Sequence, residues 1–189
     1  MPAKINHLAV VKSPSLARTW EVVAILWPLL RKLLGGIEVM SIQNFGKNLV
    51  RNVTLLTKEL PAAPRIQSGE ALFFYGSKST GGSVSVRQTA RHGIVNLSLN
   101  PPADSEAILS DMWTSLASVS TVGVFVGEEM ELNEDHIAAV ESRRLSPLAL
   151  PLCTLAIVPP GDFEDAGHTA NRESGGQLPA KGMFFRGPR

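Results

Sequence analysis

Three apolar segments separated by short turns constrain the fold of this chain more than any other feature. Residues 71–75 form a compact apolar run, and residues 83–89 and 94–99 alternate apolar with polar side chains. A period of two is typical of a half-buried β-strand. Because strands joined by turns this short pair antiparallel, the sequence predicts a three-strand meander over residues 71–99.

One long helix is predicted before this meander, over residues 13–34. Its apolar stripe has the 4-3-4-3-4 spacing of a helix face and consists of Leu16, Trp20, Val23, Trp27, Leu30 and Leu34. The unbroken apolar run of residues 22–30 is far shorter than the about 20 residues that cross a bilayer, so we expect a core helix. Pro28 removes a backbone hydrogen bond, which predicts a kink or a split near Trp27.

A second helix is predicted over residues 104–119, where the inner stripe is Ile108, Met112, Leu116 and Val119. Further strands are expected over residues 5–11, 37–43, 122–126 and, near an edge of the sheet, within 148–158. A weaker helical pattern covers residues 47–60, and a short helix is expected to end near Val140. Together these elements predict the α+β class: a single domain over residues 1–160 with a mostly antiparallel sheet and two principal helices.

Residues 161–189 are rich in Gly, Pro and polar side chains, and we expect a loosely ordered C-terminal tail with Met183-Phe184-Phe185 as a small docking point. The first residues lack the apolar run of a signal peptide. Cys153 is the only cysteine among the 189 residues, so no internal disulfide can form. Both observations favour a cytoplasmic setting.

Charge is divided unevenly along the chain. Residues 1–100 carry twelve Lys or Arg and four acids, whereas residues 101–189 carry six Lys or Arg and thirteen acids. Such asymmetry bears on association with partners, unless the two halves neutralise each other within the molecule. The near-neutral total of +1 argues against general nucleic-acid binding, and no nucleic-acid partner is expected.

The densest acidic segment spans residues 128–135. Two interpretations remain open: a solvated loop, or a segment that faces a basic protein surface and accelerates encounter with it. The second interpretation predicts partner-binding roles for five acids: Glu128, Glu129, Glu131, Glu134 and Asp135.

No catalytic residue, cofactor or metal site is predicted. The four histidines, His7, His92, His136 and His168, are not at metal-ligand spacing. The segment 76–79 (Gly-Ser-Lys-Ser) lacks the glycine that precedes lysine in a phosphate-binding loop, and an alternating strand follows it instead of a helix. Cys153 lies in an apolar run and is expected to be a buried hydrophobic residue.

The order of elements resembles the sheet-and-helix core of some bacterial polymorphic-toxin immunity proteins. The similar part comprises the segments 71–75, 83–89 and 94–99, the helix that contains Trp113, and the segment 122–126. This resemblance implies a small, cytoplasmic, non-enzymatic protein that binds a cognate toxin. The mixed charge departs from the clearly acidic character of many such inhibitors.

Three functions follow from these observations. The first is a soluble interaction protein that occludes a protein partner with a basic surface, such as a toxin. The second is a small hydrolase whose site gathers His92 or His136 with carboxylates from distant parts of the sequence. The third is a peripheral membrane protein that uses the helix containing Trp20 and Trp27, which requires both tryptophans to be exposed.

Overall fold

In the computed structural model, the described residues are 5–47, 49–55, 58–67, 69–76, 81–100, 104–128, 132–143, 153–160 and 182–186. They form the helices α1 (Leu16–Leu33), α2 (Ser105–Ser115) and α3 (Glu134–Glu141). The strands are β1 (Ile5–Val11), β2 (Ile37–Asn44), β3 (Leu49–Leu55), β4 (Glu70–Gly76), β5 (Ser83–Gln88), β6 (Gly93–Leu99), β7 (Thr121–Glu128), β8 (Cys153–Val158) and β9 (Met183–Arg186).

All nine described strands belong to one antiparallel sheet with the order β3-β2-β4-β5-β6-β1-β7-β8-β9. The predicted meander is confirmed as β4, β5 and β6, and the α+β class is confirmed with it. The first strand lies near the middle of the sheet, because β1 pairs with β6 on one side and with β7 on the other. Basic and acidic parts of the chain are therefore joined in one sheet.

The two faces of the sheet carry different apolar clusters. On the first, the α1–α2 face, both long helices pack over inward side chains such as Leu72, Phe74, Val95 and Leu97. On the second, the α3 face, the short helix α3 packs over Leu8, Val10, Ile94 and Phe125. The larger cluster on the α1–α2 face is the main core, since burial of aliphatic side chains is the dominant favourable term in folding.

Helix α1 is not split at Pro28, contrary to that part of the prediction. Proline removes the hydrogen bond to the carbonyl four residues earlier, which here belongs to Ala24. Both Ala24 and Pro28 lie on the exposed side of the helix, where water can solvate the carbonyl. The loss of one backbone hydrogen bond on the solvent-exposed side of α1 is tolerated because the opposite side of the helix packs into the core.

Both tryptophans of α1 are buried, which contradicts the peripheral-membrane hypothesis. Trp20 Nε1 donates to the Pro61 carbonyl at 3.1 Å, and Trp27 Nε1 donates to the Lys58 carbonyl at 3.3 Å. The two indoles contact Phe74, with ring centroids 5.8 and 5.5 Å away. In the described part of the chain, no helix has both the length and the apolar character needed to traverse a bilayer.

The helix predicted over residues 47–60 is wrong, because residues 49–55 form strand β3. This segment is rich in β-branched side chains, which fit a pleated surface better than a helix. β3 pairs with β2, and Arg51 Nε donates across β2 to Glu70 Oε1 at 2.8 Å. Pairing with a neighbouring strand thus outweighs a weak helical pattern.

The C-terminal strands also differ from the prediction. β8 covers Cys153–Val158 and lies near an edge of the sheet as expected, but the edge strand itself is β9, which pairs with it. β9 comes from the segment expected as a loose tail, whereas residues 144–152 and 161–181 lie outside the described residues. Gly182 approaches the core closely, and a Cβ there would lie 2.6 Å from Trp113 Nε1.

We predict that Gly93→Ala destabilises the protein by about 1–3 kcal/mol through overpacking. A Cβ at Gly93 would lie 2.1 Å from Thr19 Oγ1, so α1 would have to move away from β6. Urea unfolding followed by circular dichroism measures the effect. Gly46→Ala is the matched control, because its nearest neighbour is 3.6 Å away. Equal unfolding midpoints for the two variants would contradict this close packing.

Candidate interaction surface

Helix α3 begins with reciprocal capping hydrogen bonds. The Asn133 side chain accepts from the His136 backbone N–H at 2.9 Å, and His136 Nδ1 accepts from the Asn133 N–H at 3.4 Å. Such a cap satisfies two backbone donors that the first turn of a helix leaves open. Ile137 and Val140 then point inward, and both are buried in the cluster on the α3 face.

His92 lies in the turn between β5 and β6 and contacts both ends of α3. Its Nδ1 is 3.0 Å from Glu134 Oε2, and its Nε2 is 3.1 Å from Glu141 Oε2. The side chain is only 2% exposed. Thr89 fixes the turn, since its hydroxyl accepts from the His92 N–H at 3.0 Å. One imidazole thus joins the first and last residues of a helix that lies 42 to 49 positions later in the chain.

The carboxylates of this cluster have further partners. Burial alone would raise the pKa of Glu134, but hydrogen bonds from Thr89 and His92 outweigh it, and the pKa lies below its ordinary value. Lys12 Nζ lies 3.7 Å from Glu141 Oε1. Glu134 therefore stays ionised, and the Lys12 ammonium group lies beside the carboxylate of Glu141.

This cluster does bring His92 together with carboxylates, as the hydrolase hypothesis requires. Its geometry is unsuited to proton transfer with a substrate, because each ring nitrogen already contacts a carboxylate. A general base needs one nitrogen within reach of the substrate. With a nearly inaccessible ring, the arrangement is better suited to fastening α3.

The five acids of the predicted partner-binding segment occupy different environments. Glu134 is engaged by His92, and Asp135 is exposed on the outer side of α3. Glu128 is the last residue of β7, whereas Glu129 and Glu131 lie outside the described residues. A partner-binding role for this segment remains a prediction.

A second feature of the α3 face is a set of uncharged side chains beside the apolar cluster, here named the uncharged sheet face. It combines hydroxyl, amide and aromatic groups from five adjacent strands: Asn6, Ser41, Gln43, Phe73, Tyr75, Ser83, Ser85, Asn96 and Ser98. The register places Phe73 between Ser41 and Ser85, and Ser85 opposite Asn96. Except for buried Ser41, these side chains are half-buried.

Four side chains of the uncharged sheet face contact each other: Ser41, Gln43, Phe73 and Tyr75. The rings of Phe73 and Tyr75 stack with centroids 6.2 Å apart and planes 18° apart. Gln43 Nε2 donates to Ser41 Oγ at 3.1 Å and also contacts the Tyr75 hydroxyl. Asn96 Oδ1 is buried and has no hydrogen-bond partner among the described residues. The face therefore holds fixed donors, acceptors and aromatic surface.

The alternation of polar residues over 83–89 and 94–99 is a sequence signal for this face. Ser83 and Ser85 of β5 and Asn96 and Ser98 of β6 fall on the same side of the sheet. Alternation is equally compatible with an ordinary solvated face, so the pattern alone did not single them out. Phe73 and Tyr75 join them through the pairing of β4 with β5, and Gln43 joins only through the pairing of β2 with β4, which has no local sequence signature.

Two other residues considered for chemistry are buried. His7 is inaccessible, neither ring nitrogen has a hydrogen-bond partner among the described residues, and burial lowers its pKa to about 4. Burial likewise raises the pKa of the Cys153 thiol to about 12, which disfavours the nucleophilic thiolate. Within the described ranges, no group of three His, Cys, Asp or Glu side chains is arranged to hold a metal ion.

Comparison with known proteins gives no further assignment. No protein-family model, curated protein or solved structure matches this chain. The resemblance to toxin immunity proteins therefore remains an expectation based on the order of elements.

We predict that His7 makes the protein acid-sensitive. Its pKa is near 4 when folded and 6.5 when unfolded, so below pH 6.5 the unfolded chain binds a proton that the folded chain does not. Stability is therefore lost as the pH falls towards 4, by about 3 kcal/mol relative to a His7→Leu variant. Urea unfolding of both proteins across this range measures the difference, in which contributions shared by both proteins cancel. Parallel pH profiles would contradict the prediction.

Proposed function

We propose that this protein is a non-catalytic interaction protein that binds another protein through the uncharged sheet face. The observation that carries the proposal is the ordered set of aromatic, amide and hydroxyl side chains beside α3. Protein-binding surfaces are depleted of charge at their centre and enriched in aromatic residues. Tyr, Ser and Asn are the residues that antibody paratopes use for adaptable polar contacts and rigid aromatic contacts.

The position of the face favours binding with little loss of entropy. All five of its strands, β1, β2, β4, β5 and β6, are paired on both sides within the sheet. The stacked rings of Phe73 and Tyr75 and the hydrogen bonds of Gln43 restrict side-chain rotation before a partner arrives. Ordering flexible side chains costs about 0.5–1.5 kcal/mol each on association, so a face that is already ordered avoids part of that cost.

The acidic segment begins at the border of this face. Gly127 pairs with Asn6, a member of the face, and Glu128 is the next residue. Negative charges at such a rim would attract a basic partner and orient its approach, while the uncharged centre supplies close contact. Under this proposal the protein occludes the functional surface of its partner, as an immunity protein does with a cognate bacterial toxin. A cytoplasmic, bacterial setting belongs to the same proposal.

The central test is substitution within the face. After capture of the partner, Tyr75→Ala and Asn96→Ala should each raise Kd by about 10- to 100-fold, the usual effect of truncating a central contact. Ile25→Ser is the matched control, because Ile25 is exposed on α1 at the opposite face of the sheet. Isothermal titration calorimetry measures Kd, and circular dichroism verifies folding. An unchanged Kd in both face variants would refute this interface.

A separate test concerns the acidic rim. Charge reversal in the double variant Glu129→Lys, Glu131→Lys should lower the association rate constant by about tenfold at low salt and weaken its salt dependence. Glu134 is left unchanged, because its reversal would also break the contact with His92. Stopped-flow association at several salt concentrations provides the measurement. If the association rate is unaffected, the segment is a solvated loop.

A further inference from the structure

We propose that α3 is a detachable lid, fastened by the His92 imidazole over the apolar part of the α3 face. The cluster joins both ends of the helix to one point on the sheet, with His92 Nδ1 3.0 Å from Glu134 and Nε2 3.1 Å from Glu141. The proposal concerns regulation of the surface and does not require that the uncharged sheet face binds a protein.

Both ring nitrogens of His92 face carboxylate oxygens. Neutral imidazole has one N–H donor, whereas the imidazolium form has two and can donate to both carboxylates at once. With His92 protonated, the two carboxylates are balanced by the imidazolium and Lys12. With a neutral ring, one ring nitrogen would present its lone pair to a carboxylate, and the cluster would keep one uncompensated negative charge.

Other charged groups near α3 contact backbone carbonyls. Arg87 of β5 donates to the Leu132 carbonyl at 3.0 Å, just before the helix. Arg143 donates to the Pro159 carbonyl at 2.8 Å, just after it. His136 takes part in the helix cap, Asp135 points outward, and Arg91 is exposed in the turn beside His92. These two arginine contacts hold the residues on either side of α3 and leave the helix itself to the His92 contacts and its buried side chains.

The rest of α3 is weakly held. A helix of eight residues is not stable in isolation, and this one buries Ile137 and Val140. Loss of the His92 contacts would therefore release α3 before the nine-stranded sheet unfolds. Such local opening is common where few apolar contacts hold an element.

Release of the lid would change the chemistry of the face. The cluster beneath it contains Leu8, Val10, Ile94 and Phe125. Leu8 pairs directly with Asn96, so this apolar surface is continuous with the uncharged sheet face. When α3 is docked, this apolar surface is buried. When α3 is released, the apolar surface becomes exposed beside the uncharged sheet face.

Cys153 reports exposure of the apolar cluster on the α3 face. It is the only cysteine in the chain, and it lies in the same apolar cluster as Ile137 and Val140. The rate of its modification by a neutral disulfide reagent, at constant neutral pH, measures how often the cluster is exposed. We expect Glu134→Gln and Glu141→Gln to accelerate modification by about 10- to 100-fold, the effect of losing a charged hydrogen bond. Asp135→Asn is the matched control, because it removes the same charge from an exposed position of α3 and should leave the rate unchanged.

Urea dependence distinguishes the lid from whole-protein unfolding. Lid opening exposes little surface, so the modification rate should rise with urea far less steeply than global unfolding does. Hydrogen exchange of residues 134–141 in the wild-type protein, which needs no variant, should show the same shallow slope, unlike β1. Unchanged modification rates in both glutamate variants would overturn the proposal. A urea slope equal to that of global unfolding, in modification or in exchange, would overturn it as well.

Discussion

The pairing of β1 with both β6 and β7 is the interaction on which the rest of the structure depends. β1 connects the meander, which comes from the middle of the chain, to strands formed after residue 120. Without it the sheet would divide into two smaller sheets, and neither would offer a face wide enough for both the apolar cluster and the uncharged side chains. The same strand supplies Ala9 and Val11 to one core and Leu8 and Val10 to the other.

Local pattern was sufficient to predict some elements and not others. The meander and α2 have strong periodicity, Asp104 caps α2 through the N–H groups of Glu106 and Ala107, and both elements lie close to their predicted positions. Residues 49–55 carry a weak helical stripe together with β-branched residues, and they form a strand because they pair with β2. The effect of Pro28 also depended on context, since its exposure on α1 could not be read from spacing alone.

The candidate surface could not be predicted from the sequence, because it depends on the order of strands in the sheet. Its members come from five strands, and only the strand order brings Gln43 and Tyr75 together. The contact of His92 with Glu134 and Glu141 spans more than forty residues and has no motif. From the sequence, His92 was a candidate for a hydrolase site and Glu134 was one of five acids in a run, because charge patterns reveal composition but not pairing.

The division of charge along the chain acquires a physical meaning in this fold. Lys12 and His92 from the first hundred residues contact Glu134 and Glu141 from the second part. Some of the acids of the second part are therefore paired within the molecule, at α3. Glu128, where the acidic segment begins, is the last residue of β7 and follows Gly127, which pairs with Asn6 of the uncharged sheet face. The same acidic stretch therefore contributes Glu134 to the contact with His92, while under the proposed function the acids before α3 would attract a basic partner. Because ion pairs at a surface contribute little stability, a cluster around a buried imidazole is the part of this network that can govern whether the helix stays docked.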